Sequence, residues 1–163
     1  MKQVLFSLLI ALMLYACSES KKEPSKVQSN EQTIAAIDSI VHYANDNKKM
    51  FDEIPLLSDD FGSEYSFINM YSENGKSKII LEQMGNDSAF FENHYYLDDA
   101  LELVYFTSIG TSILTKQVGY KRLAYFNHSR LLKDSREITN LEKYAVKNII
   151  DRISEIKEIA NLS

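Results

Sequence analysis

Glu64-Tyr65-Ser66-Phe67-Ile68-Asn69-Met70-Tyr71-Ser72-Glu73-Asn74-Gly75-Lys76-Ser77-Lys78-Ile79-Ile80-Leu81 is the stretch that decides the fold of this chain. Aromatic and β-branched residues recur with a period of two on both sides of Asn74-Gly75. That dipeptide suits a two-residue hairpin, because both central residues of such a turn need positive φ. Tyr65–Ser72 and Ser77–Met84 are therefore read as paired antiparallel strands. The same period continues through Phe90–Leu97, Leu101–Ser108, Ser112–Val118 and Lys121–Phe126, with a short return at Arg130–Lys133. Turn signals at 85–88, Asp98-Asp99 and Asn127-His128 separate these strands, and connections that short leave only antiparallel pairing.

Outward from the sheet the period changes. Ile34, Ile37, Ile40, Val41 and Ala44 fall at helical spacing and predict a helix over 30–49, with Ser29 and Gln32 placed for a capping box. Residues 46–60 mix Asn, Asp and Lys with Pro55 and read as a connection whose apolar members tuck against the domain. At the other end Ile138, Leu141, Ala145, Ile149, Ile153, Ile156 and Ala160 predict a helix over 137–160, with Thr139 and Glu142 as a second capping box. Its broad stripe suits a sheet face better than a two-stranded coiled coil. The fold class expected is α+β: an antiparallel β-meander of five to seven strands flanked by an N-terminal helix and a long C-terminal helix.

Charge and composition narrow the functions. The chain has a formal net charge of −5 and shows no basic stripe, which argues against a nucleic-acid partner. His42, His94 and His128 have no histidine partner at i+2, i+3 or i+4, so no metal site is assigned. Asp59-Asp60 and Asp98-Asp99 read as turn chemistry. Neither a nucleophile elbow nor a phosphate loop nor a dinucleotide fingerprint is present, so no catalytic residue and no cofactor is assigned.

Ten tyrosines and eight phenylalanines accompany no tryptophan, and most cluster between Phe61 and Phe126. Alternation puts Tyr65, Phe67 and Tyr71 on one side of their strand, and His94 on the side shared by Phe90, Glu92 and Tyr96. Both sheet faces carry apolar residues and need cover; with two helices on one face, a tyrosine-rich surface would remain on the other. Cross-strand aromatic pairing accounts for these residues as core. The same side chains, apolar in body and polar at the tip, also suit a protein, peptide or glycan ligand. Tyr65, Tyr71, His94, Tyr95 and Tyr105 are the candidate ligand-facing residues.

The N-terminus carries a separate signal. Lys2 precedes an apolar run from Val4 to Tyr15, too short to span a bilayer and read as a cleaved signal peptide over residues 1–16. Leu14-Tyr15-Ala16-Cys17 resembles the lipobox of bacterial lipoproteins, and Cys17 is the only cysteine. The resemblance implies lipid attachment at Cys17, with diacylglycerol on its sulfur and palmitate among the acyl chains, and a membrane anchor without a transmembrane helix. Residues 17–29 then form an acylated, polar tether, and 30–163 a single domain. Ser18-Glu19-Ser20-Lys21-Lys22-Glu23 is similar to the charged stretch of surface-exported Gram-negative lipoproteins, which implies an outer-membrane, surface-exposed location in the cell envelope.

A weak repeat, Tyr71-Ser72-Glu73-Asn74-Gly75-Lys76, Tyr96-Leu97-Asp98-Asp99-Ala100-Leu101 and Tyr125-Phe126-Asn127-His128-Ser129-Arg130, is similar to MORN-like hairpins and to small helix/β-meander/helix envelope lipoproteins. No catalytic residue comes with that resemblance. The expected function is a non-enzymatic, membrane-anchored binding module. Two other classes stay open: a small envelope enzyme or metal-dependent hydrolase built from Glu92, His94, Asp98 and Asp99, and an inhibitor or immunity-type protein.

Overall fold

A computed structural model describes residues 26–60, 64–135 and 140–162. The leader, Cys17, most of the tether and Thr139 lie outside the described residues. Helix α1 spans Lys26–Asn47 and continues into a 3-10 turn at Lys48–Met50. It begins ahead of the expected Asn30, so residues 26–29 are helix and not tether. Thr33 Oγ1 donates to the Ser29 carbonyl from one turn on, making Ser29 an interior helical residue and not the N-cap. Lys26, Val27 and Gln28 contain no glycine or proline to stop the helix extending.

Seven strands follow: β1 Asp52–Asp60, β2 Glu64–Glu73, β3 Lys76–Asn86, β4 Ala89–Leu97, β5 Leu103–Ser112, β6 Val118–Asn127 and β7 Arg130–Asp134. They form one sheet in sequence order, every neighbouring pair antiparallel. Helix α2, Asn140–Ile159, closes the fold. This is the expected antiparallel meander with a helix before and after it. The described part of α2 is shorter than the 137–160 span expected, and its described side chains begin at Val146.

Two segments differ from expectation. Residues 52–60, read as a connection, are edge strand β1; Pro55 is accommodated because its register slips between Pro55 and Leu57 and an edge residue can do without its N–H. Ser112–Val118, read as a strand, is the end of β5 and the loop to β6. Backbone bonds from Lys116 N to Ser112 O and from Ser112 N to Gln117 O close that loop, with Lys116 at φ 55°. The Asn74-Gly75 turn has the expected left-handed pair, φ 53° and 77°, and His128-Ser129 makes the equivalent turn between β6 and β7 without glycine.

The helices cover opposite faces, not one. Ile68, Met70, Ile80, Tyr95, Phe106, Ala124 and Phe126 bury one face against Ile149, Ile153 and Ile156 of α2. Tyr71, Ile79, Leu81, Tyr96, Val104 and Tyr105 bury part of the other against Ile37 and Ala44 of α1 and against Phe51. Fully burying an aliphatic side chain contributes roughly 1.5–3 kcal/mol, so each helix is fixed chiefly by these few residues. Among the described residues no helix is long and apolar enough to cross a membrane.

Candidate functional site

The α1 cluster ends at Leu81, Tyr96 and Leu123, short of the 87–88 turn. Beyond it the same face presents Tyr65, Phe67, Gln83, Phe90, Glu92 and His94, all half-buried. Register explains their meeting: Tyr65 faces Gly85, Gly85 faces Phe90, Phe67 faces Gln83, and Gln83 faces Glu92. Glu92 is the polar centre. Its Oε1 lies 2.6 Å from His94 Nε2 and its Oε2 accepts from Gln83 Nε2 at 3.0 Å.

Burial alone would raise the Glu92 carboxyl. Hydrogen bonds from His94 and Gln83, with the charges of His94 and Lys48, outweigh it and hold the group below the usual carboxylate range. The His94 ring is stacked on Tyr96 at 6.3 Å, and its buried Nδ1 has no hydrogen-bond partner among the described residues. Tyr65 packs on Phe67 and Phe90 at centroid distances of 5.7 and 6.4 Å. Gly85 makes room for this: a Cβ there would stand 2.6 Å from the Tyr65 hydroxyl oxygen. A glycine near the end of β3 is thus covered by a cross-strand aromatic.

Of the expected ligand-facing residues, Tyr65 and His94 come together here. Tyr71 and Tyr105 are on the same face but buried in the α1 cluster. Tyr95 is on the opposite face, 2% exposed beneath α2, where its hydroxyl donates to Glu82. Strict alternation along β4 puts Tyr95 opposite His94, and the helices on both faces leave no tyrosine-rich surface common to all five.

The Glu92, His94, Asp98 and Asp99 set is likewise divided. Glu92 and His94 pair, whereas Asp98 accepts from the backbone of Ala100 and Glu102 in the β4–β5 turn, and Asp99 binds Lys78. No group of three or more His, Cys, Asp or Glu side chains is arranged to hold a metal among the described residues.

A second polar array, on the α2 face, was not anticipated. Glu82, Asn93, Ser108 and Arg122 are successive cross-strand partners and form a row across four strands. Glu82 is fully buried and accepts from Asn93, Tyr95 and Arg152. Arg122 donates through Nε and Nη2 to one Asp134 oxygen at 3.1 and 2.6 Å, with both side chains almost wholly buried. Groups this deep are costly to bury without partners, and here each is met by at least one opposite charge or hydrogen-bond donor. Glu82, Ser108 and Arg122 of the row are buried and serve the core, while Asn93 is half-buried.

The fold and the site together describe a two-helix antiparallel meander with one partly uncovered face. No family model, curated protein or solved structure matches the chain.

Proposed function

We propose that this protein is a membrane-anchored lipoprotein of the cell envelope, held by lipid on Cys17 at the outer membrane of a Gram-negative bacterium and acting there as a non-enzymatic binding module. The binding surface is the uncovered part of the α1 face around Glu92 and His94. The observation that carries this reading is the composition of that patch: a half-buried carboxylate–imidazole–amide group bordered by Tyr65, Phe67 and Phe90, on a face where the helix cluster stops. An apolar border with a few convergent polar groups is what a peptide or glycan ligand requires.

The test uses the full chain tagged at Ser163 and retrieved from its own envelope. Parent protein is expected to retain a peptide, protein or glycan, and Phe67→Ala/Phe90→Ala to lose it without loss of fold. Equal capture by both would place the binding surface elsewhere. Cys17→Ala is expected to leave an unacylated precursor; normal lipid labelling and processing of that variant would remove the anchor from the reading.

A further inference from the structure

The net charge of −5 conceals an uneven distribution. From Leu103 to Lys133, through β5, β6 and most of β7, the sequence has no aspartate or glutamate but includes Lys116, Lys121, Arg122, Arg130 and Lys133. Arg122 is committed to Asp134; the other four are exposed. Residues 103–133 are thus basic without any acid, although the chain as a whole is acidic.

The β5–β6 loop lies at one end of that region and is unusually apolar. Leu114 is 83% exposed, Val118 61% and Ile113 42%. Phe91, 37% exposed, lies over Gly110, its cross-strand partner in β5, and meets Tyr120 edge-on at 6.4 Å. Ile113 N donates to Ser88 O, which fastens the loop to the β3–β4 turn. That turn carries Asp87, so the basic character belongs to the β6 side, where Lys116 and Lys121 flank Val118.

We infer that this loop is a second membrane contact, with Ile113, Leu114 and Val118 entering the interface of an anionic lipid surface and Lys116 and Lys121 meeting its phosphates. Charge complementarity selects the occupant. An exposed apolar loop that carries Lys116 between Leu114 and Val118, with Lys121 three residues into β6, suits an anionic bilayer, whose acyl chains lie beneath phosphates. A protein partner fits less well, since a stable interface buries about 800 Å² per side and this tip offers only a few apolar side chains. The inference takes its setting from the anchored reading above, and a second contact would orient a domain otherwise held only through its lipidated Cys17.

Because the chain contains no tryptophan, Leu114→Trp in the full chain provides a single local reporter, with Asn127→Trp at the opposite end of the sheet as its counterpart. Vesicles of phosphatidylcholine with phosphatidylglycerol are expected to shift the indole emission of Leu114→Trp to shorter wavelength and to quench it when the lipid is brominated, leaving the emission of Asn127→Trp unchanged. Adding Lys116→Glu/Lys121→Glu to the loop reporter should abolish the shift. The inference is overturned if the loop reporter keeps its aqueous emission, if both reporters shift alike, or if phosphatidylcholine alone gives the full effect. Cys17 labelling is unaffected by any of these results, so failure here is distinguishable from failure of the lipid anchor.

Discussion

Arg152 of α2 and Glu82 of β3, 70 residues apart in sequence, meet through two guanidinium nitrogens on one carboxylate oxygen, at 2.8 and 2.7 Å. Glu82 is fully buried whereas Arg152 keeps a third of its surface in water. The helix thus supplies the cation that pairs with Glu82 inside the sheet core. Arg152→Met should cost roughly 3 kcal/mol, because it strands a buried charge. Adding Glu82→Gln, which removes the charge while keeping an acceptor for Tyr95 and Asn93, should recover part of that loss. Urea unfolding of the single and double variants measures the coupling; additive losses would show that the pair does not fix the helix.

Gly85→Ala is expected to destabilise the domain by about 1–3 kcal/mol through overpacking. The new Cβ would meet the Tyr65 ring and also the Ala89 carbonyl at 2.8 Å, which is backbone and cannot swing aside. Tyr65→Ala should therefore fail to restore stability to Gly85→Ala. Gly119→Ala, with nothing within 4 Å, provides the contrast and should be neutral or slightly stabilising. Thermal unfolding of the three variants decides the matter.

Replacing Asn74-Gly75 by Val-Val should cost about 1–2 kcal/mol per residue, since both positions have left-handed backbone that β-branched residues adopt poorly. Denaturant titration against the parent provides the value. An unchanged midpoint would mean that the turn adopts another conformation without cost to the sheet.

Tyr125 gives the fold an alkaline limit. Burial, the hydrogen bond it donates to Asp38 and the Asp38 charge push its hydroxyl up to about 12. In the unfolded chain a tyrosine loses its proton near pH 10. The folded state therefore binds the proton more tightly: this stabilisation is complete below about pH 10 and declines as pH rises toward 12. Tyr71, Tyr96 and Tyr105 are raised as well and add to the slope. Unfolding midpoints at successive pH values from 8 to 12 should fall less steeply for Tyr125→Phe than for the parent; parallel curves would count against the assignment.

The sheet was legible because its period of two and its turn residues act locally. Asn74-Gly75 fixes a hairpin whatever surrounds it, and alternation alone put Glu92 and His94 on one side of β4. The errors arose where a tertiary circumstance overrode composition. Pro55 and its acidic neighbours resemble a loop, yet an edge strand with a register slip tolerates them. Ile113 and Leu114 resemble a strand, yet they occupy the loop between β5 and β6. Periodicity shows which residues share a face but not what lies over it, so Tyr95 could not be told from Tyr65 until α2 was in place. Glu82 did leave a trace, as an acid in phase with Ile68 and Ile80; its partner Arg152 is too distant in sequence for any local pattern to announce.

Every strand in this sheet pairs only with its neighbours in the chain. Loop closure is thus inexpensive at each step, and hairpins can form in the order in which the chain is made. The α2 side of the core is the exception, because its cover comes last. Until the final turns of α2 arrive, a nascent sheet holds Ile68, Ile80 and Phe106 open to water and Glu82 still hydrated. Docking of the C-terminus is then the event that dries this core, and a chain truncated before Arg152 would have a paired sheet with one wet face.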